Sequence, residues 1–163
     1  MSGILKVKLV CVGKLKEKYL QQGVMEYKKR LGKYIKLEIE EVKDEPLPKK
    51  LNEQEVNKII EKEEKKVREK LDFDAVKIVL DLNGRQFSSH EFARKVKKFE
   101  NRGDSSLNFL IGGTMGFSKE FVHDSDLQIS FSKMTFPHQL IRLMFLEQLY
   151  RAFKINKGEP YHR

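Results

Sequence analysis

Leu107-Asn108-Phe109-Leu110-Ile111-Gly112-Gly113-Thr114-Met115-Gly116 reads as a buried strand that runs straight into glycine. Its near-continuous apolar stretch is the pattern of a strand covered on both faces, as in a parallel sheet. The glycines close it, and a short helix is expected from Ser118. Open α/β sheets hold ligands at the carboxyl ends of their strands. Glycine there lets a backbone approach a ligand closely and exposes amide groups. A glycine-rich turn after a strand is also often only a turn, so the stretch alone leaves ligand binding open.

The same alternation extends in both directions. Downstream, Leu127 to Phe131 reads as a strand, and a helix runs from Pro137 to about Lys154. Upstream, Val76 to Leu82 is another buried strand, followed by a turn at Asn83-Gly84 and a helix from Ser88 or Ser89 to Gly103. Ile4 to Val12 is a strand stopped by Gly13, and Lys16 to Tyr34 is a helix with Leu20, Val24, Tyr27 and Leu31 at spacings of three and four. Lys36 to Lys43 alternates as a strand, and Pro46 and Pro48 make a loop of Asp44 to Lys50. Asn52 to Leu71 is a helix with Asn52 at its cap and Glu55 three residues on. Its Glu and Lys run reads as a solvated face around a narrow stripe of Val56, Ile59, Ile60 and Val67. Alternating strands and helices predict one α/β domain, with a mostly parallel sheet and helices on both faces.

At 163 residues the chain is long enough to bury a core without staples. Cys11 is its single cysteine, which rules out an internal disulfide and suits a reducing, cytoplasmic setting. It lies in the apolar run Leu9 to Val12 and reads as a small buried hydrophobe. No apolar run exceeds four residues, so no membrane-spanning helix is expected. Lys6 and Lys8 interrupt the first apolar stretch, unlike a signal peptide. Net charge is +9, and it is uneven: +6 in residues 1–50, −1 in 51–132 and +4 in 133–163. Two basic ends suit a polyanionic partner, although a lysine-rich soluble surface has the same composition.

Three further features carry chemistry. Phe131-Ser132-Lys133-Met134-Thr135-Phe136-Pro137-His138 follows a strand, has Pro137 placed to start a helix, and offers backbone donors, hydroxyls and two aromatic rings. Such a loop can hold an adenine ring and a ribose, or can be an ordinary turn with a cap at Thr135. The helix that follows is apolar around most of its circumference, from Leu140 to Phe153, which buries it inside a core or in a subunit interface and, in a domain this small, favours a shared homodimer interface. Arg142 is stranded in that apolar surface and needs an anionic or carbonyl partner, while Glu147 and Arg151, four apart, can pair. The chain then ends on Tyr161-His162-Arg163. Short tails ordinarily fray, yet an aromatic, an imidazole and a guanidinium are what RNA contact uses. His90, His123, His138 and His162 are scattered, no Cys or His cluster has metal spacing, and no Gly-x-Ser-x-Gly elbow occurs, so neither a metal enzyme nor a serine hydrolase is expected.

These residues resemble a known family. Val12-Gly13-Lys14-Leu15-Lys16, Phe109 to Gly113, Ser130 to Gln139 and Tyr150 to Arg163 are similar to the SPOUT-superfamily bacterial methyltransferases of large-subunit rRNA, which methylate ring nitrogen N3 of a pseudouridine. The resemblance spans essentially the whole chain and is most specific in Ser-Phe-Ser-Lys-Met-Thr-Phe-Pro-His-Gln and Tyr-Arg-Ala-Phe-Lys-Ile. It implies an α/β sheet with a deep trefoil knot near the carboxyl end. It implies a homodimer in which the tail completes the neighbouring site, and the assembled ribosome as substrate. S-adenosylmethionine would be held by loops around Leu80, Gly112 and Phe131, Ser132, Lys133, Met134, Thr135 and Phe136. Valine at Gly112 is expected to fill the space of ligand atoms. Methyl transfer needs no metal, but the protonated N3 needs a base, for which His162 is the candidate. Arg151, Tyr161 and Arg163 would position RNA, with Arg142 acting from the partner. Two other readings remain: a non-catalytic ribosome- or RNA-binding protein on the same scaffold, and a nucleotide- or flavin-binding redox domain.

Overall fold

A computed structural model describes residues 4–103 and 106–161. Its elements are β1 (Leu5–Val12), α1 (Lys18–Leu31), β2 (Ile35–Val42), α2 (Glu53–Lys70), β3 (Val76–Gln86), α3 (Ser89–Arg102), β4 (Ser106–Ile111), α4 (Lys119–His123), β5 (Leu127–Ser130) and α5 (His138–Asn156). The strands form one sheet in the order β2-β1-β4-β3-β5, and each neighbouring pair is parallel. All five therefore end at the same edge, and the loops that follow them meet there.

Side chains of a strand alternate between faces, and here both faces are apolar. Val7, Leu9 and Cys11 of β1, with Leu107, Phe109 and Ile111 of β4, pack against Leu20 and Val24 of α1, Val96 of α3, and Leu146 and Leu149 of α5. Val10, Val12, Val79 and Leu110 pack on the other face against Val67 of α2 and Phe121 of α4. Phe109 lies at the centre, 0% exposed, with its ring 4.5 Å from that of Phe145. Burying one such ring contributes about 1.5–3 kcal/mol. Cys11 is also 0% exposed, and burial pushes its thiol up to about 12, so it stays protonated as a small core side chain.

The caps follow from sequence. Ser88 and Glu91 close a reciprocal capping box on α3, Gly103 ends it in the left-handed conformation, and Asn52 accepts the Glu55 amide of α2 at 2.8 Å. Two readings change. β3 does not stop at a turn: both Leu80 and Arg85 pair with Ile129, so residues 81–84 bulge from the ladder and the strand resumes to Gln86. The bulge is closed by the Asn83 amide on Asp81 Oδ2 at 3.1 Å. Gly84 is required there, because a Cβ would lie 2.8 Å from backbone atoms of Gln128 and Ile129 in β5. The charge run of α2 is also not wholly solvated. Glu63 and Glu64 are 3% and 5% exposed and reach the loop after β4.

Candidate functional site

A cleft of about 440 Å³ opens where β4, β3 and β5 end. Three segments line it: Leu80 to Leu82, Ile111 to Phe117, and Ile129 to Phe136, with His138 and Ile141 from the start of α5. Of the eight residues expected to hold a cofactor, Leu80, Gly112, Phe131, Ser132, Met134, Thr135 and Phe136 line this space, while Lys133 is exposed and outside it. The size lies within the usual range for small-molecule sites.

The glycine loop is shaped by itself and braced from behind. The Gly116 amide donates to Gly113 O at 3.0 Å, and Gly116 adopts φ +70. A Cβ on Gly112 would sit 3.1 Å from Gly116 Cα and C and 3.3 Å from the Phe117 ring. A side chain at Gly112 therefore also presses on its own loop, beside the ligand space that Gly112 lines. Gly112→Val should still abolish cofactor binding, by forcing residues 113–117 apart, and calorimetric titration of the variant will measure it; wild-type affinity would rule this out. Behind the loop, Glu64 accepts the Ser118 amide at 2.6 Å and the Ser118 hydroxyl at 3.1 Å. Glu63 accepts the Glu45 amide at 2.8 Å, and its Oε1 lies 3.0 Å from the position of a Cβ on Gly113. Burial raises the Glu63 pKa above the usual carboxylate range. A sequence signal existed, since Glu63 falls midway between Ile59 and Val67 at steps of four on the buried stripe.

The loop after β5 is ordered by its own hydroxyls. Ser130 Oγ donates to Ser132 O at 2.9 Å, and Ser132 Oγ accepts the Met134 amide at 3.0 Å. Thr135 does not cap α5, which begins at His138 after Pro137 with no side-chain cap.

The cleft's electrostatics stand out in a chain of net charge +9. Among the described residues, no lysine or arginine lines it, and its ionisable side chains are Asp81 and His138. Burial, then the nearby Arg142 charge, lower the His138 pKa against an opposing pull from Asp44, so the ring is neutral near pH 7. His138 closes the motif read from sequence, but neither it nor Asp81 was given a role there.

The other expected residues fall into two groups. Arg142 is 2% exposed. Its Nη1 donates to Glu41 Oε2 at 2.6 Å and its Nη2 to Gly13 O at 2.7 Å and Val12 O at 3.3 Å, so it has both an anionic and a carbonyl partner within its own chain. Arg151 and Tyr161 are together elsewhere. Arg151 pairs with Glu147 as expected and lies 4.8 Å from the Tyr161 ring centre. The Tyr161 hydroxyl donates to Glu147 Oε1 at 3.3 Å, lies 3.3 Å from the Tyr27 hydroxyl, and its ring packs edge-on to Tyr150. Burial raises its pKa, so it stays a neutral phenol. Glu159, held by Lys154 and Tyr34, pins the tail further. His162 and Arg163 lie outside the described residues.

Seven residues of α5, among them Phe145, Leu149 and Phe153, are buried in the chain's own core. Leu140, Leu143 and Met144 instead line a groove of about 570 Å³ with Tyr27, Phe87 and Phe92. That groove shares Ile129, Ser130 and Phe131 with the cleft. Among the described residues, no helix is long and apolar enough to cross a membrane, and no group of three His, Cys, Asp or Glu side chains could hold a metal ion.

The family model of predicted SPOUT methyltransferases matches residues 5–162. Over 159 residues the chain is 49% identical to the ribosomal RNA large subunit methyltransferase H of Enterococcus faecalis, 48% to that of Clostridioides difficile and 48% to that of Acetivibrio thermocellus; each match covers 98% of this chain and 100% of the relative. Among solved structures, a probable methylase family protein from Haemophilus influenzae Rd KW20 superposes with a TM-score of 0.53 at 11% identity, over 96% of this chain and 70% of that one. At that identity the likeness speaks for the fold alone.

Proposed function

The chain belongs to the SPOUT methyltransferase family, and from that premise we propose that it methylates ring nitrogen N3 of a pseudouridine in 23S rRNA, on the assembled ribosome, with S-adenosylmethionine as donor. The rRNA target follows the relatives' names. The observation that carries the donor is the charge of the cleft: among the described residues it has one carboxylate, a neutral imidazole and no cation, in a chain with 33 lysines and arginines. That lining suits a ligand that is itself a cation, and it would leave the phosphates of a nucleotide or flavin unpaired. The apolar faces of Leu80 and Phe131 and the hydroxyls of Ser132 and Thr135 fit a nucleoside, and the glycine loop leaves its backbone open to it. When bound, the donor supplies an electrophilic methyl group on a sulfonium. The protein's part is to orient, exclude water and accept the N3 proton.

In this reading Arg151 and Tyr161, held together by Glu147, position RNA. A phenol with a raised pKa is a poor base, which leaves that role to the neighbouring His162. Arg142 serves as a positioning residue, because its guanidinium is taken up by β1 and β2. The homodimer belongs to the same proposal, supported by the unfilled groove of Leu140, Leu143 and Met144, as does a cytoplasmic site of action. So does the trefoil knot, which the family resemblance implies.

Methyl incorporation into large ribosomal subunits, with mass spectrometry of the modified nucleotide, tests the reaction. Thermal unfolding separates it from a non-catalytic RNA binder: donor at 100-fold over its dissociation constant adds about 2.7 kcal/mol, and a pure binder shows no shift. Truncation after Pro160 should keep donor binding and lose methylation, and full activity in the truncated chain would remove the tail from the site. Donor affinity should be flat above the ordinary imidazole range and fall several-fold on acidification below it, because protonated His138 opposes a sulfonium. His138→Gln should abolish that dependence, as titration at several pH values will measure.

A further inference from the structure

We infer that the outer face of α3 is the surface that docks the phosphate backbone of the substrate rRNA, an inference that rests on the methyltransferase reading above. Residues 85–102 carry six basic side chains against two acidic ones, inside the middle segment whose net charge is −1. The fold gathers these charges on one side. Arg94, Lys97 and Lys98 lie at helical spacings of three and four, so they share a face of α3. With Arg85 at the end of β3, Lys95 and Asn156 at the end of α5, they line a groove of about 500 Å³.

Two observations separate this groove from an ordinary solvated face. First, its cations form no close ion pair. Among the described residues, no carboxylate lies within 4.0 Å of Arg85, Arg94, Lys95, Lys97 or Lys98. On α2, Lys66 meets Glu45, Arg68 meets Glu64 and Lys70 meets Glu40, while Lys58, Lys62 and Lys65 line a groove that shares no residue with the cleft. The groove's own carboxylate, Glu91, accepts the Ser88 amide in the capping box and meets Arg85 and Arg94 only at longer range. Second, the groove borders the proposed dimer groove, which in turn meets the cleft. Arg85 lies 4.8 Å over the Phe87 ring, Phe87 also lines the neighbouring groove, and that groove shares Phe131 with the cleft. A strand of phosphates on α3 would thus present a nucleotide toward the reacting end. The charge of the cleft is the converse, so the anionic and the cationic partner are directed to separate places.

The test uses the full-length protein and purified large ribosomal subunits. Arg94→Glu with Lys98→Glu should raise KM for subunits at least tenfold and leave kcat within about twofold, because phosphate contacts act equally on ground and transition states. The slope of log binding constant against log salt should shrink by about 2, at roughly 0.9 per lost phosphate contact. Donor affinity should be unchanged, which also verifies folding. Arg94→Lys with Lys98→Arg should retain wild-type binding. Lys58→Glu with Lys62→Glu, on α2 across the sheet, should change neither KM nor slope. An unaltered KM and salt slope in the α3 variant would overturn the docking surface while wild-type methylation leaves the enzyme reading intact. An equal loss in the α2 variant would also overturn it. Wild-type protein that binds subunits with the expected salt slope but transfers no methyl would sink the enzyme reading alone.

Discussion

Arg142→Ala is expected to lower folding stability by about 3–5 kcal/mol, the range for removing one member of a buried, hydrogen-bonded ion pair. The guanidinium is among the largest fully buried side chains, and it ties the ends of β1 and β2 to α5 through Gly13 O, Val12 O and Glu41. Alanine would leave two carbonyls without that donor, strip Glu41 of its cation and open a cavity. Glu41 is about a third exposed and still accepts the Leu15 amide at 2.8 Å, which keeps the loss toward the lower end. Denaturant unfolding should show a reduced midpoint with an unchanged slope. Arg142→Lys should recover only part of the loss, because an ammonium cannot span both partners in one plane. Methyl transfer should fall as well, since His138 and Ile141 line the cleft one turn and one residue away on α5. A loss under about 1 kcal/mol would mean that water takes over the guanidinium's bonds.

Gly84→Ala should be comparably severe although it adds one carbon. The new Cβ would lie 2.8 Å from Gln128 C, Ile129 N and Ile129 C, and backbone cannot rotate away as a side chain can. β5 has four residues and pairs with β3 alone, so little holds it if that crossing widens. The loop 131–136, which forms one wall of the cleft, hangs from its end. A cost above about 3 kcal/mol places the substitution among the exceptional ones, with overpacking as the mechanism. Thermal unfolding and donor titration should both report it, and a variant within 1 kcal/mol of wild type would show that β5 can shift freely.

Legibility from sequence followed the range of the interactions. Strand runs such as Leu107 to Ile111 and caps such as Ser88 are local, and both were readable. Gly84 was readable as special but for the wrong reason: it sits where two backbones cross, and β5 lies more than forty residues on. Arg142 required a partner, yet nothing local names Glu41, 101 residues away. Glu63 and Glu64 were hidden by composition, because a charge run masks two members that turn inward on the Ile59–Val67 stripe. At the cleft, the residues carried by family resemblance were largely gathered, while Asp81 has no motif and His138, although inside the Ser130 to Gln139 motif, showed no role until its burial was seen.

The lone cysteine makes this molecule its own stopwatch. A thiol that ionises only near pH 12 and is wholly enclosed between β1 and the α1–α5 layer is silent to alkylating reagents while the core is closed. Every alkylation event therefore marks an opening of the sheet's centre, at one site, without background from other thiols. The labelling rate at neutral pH reads how often that layer parts, and its slowing by bound donor or ribosome would clock how far each ligand's grip reaches into the core.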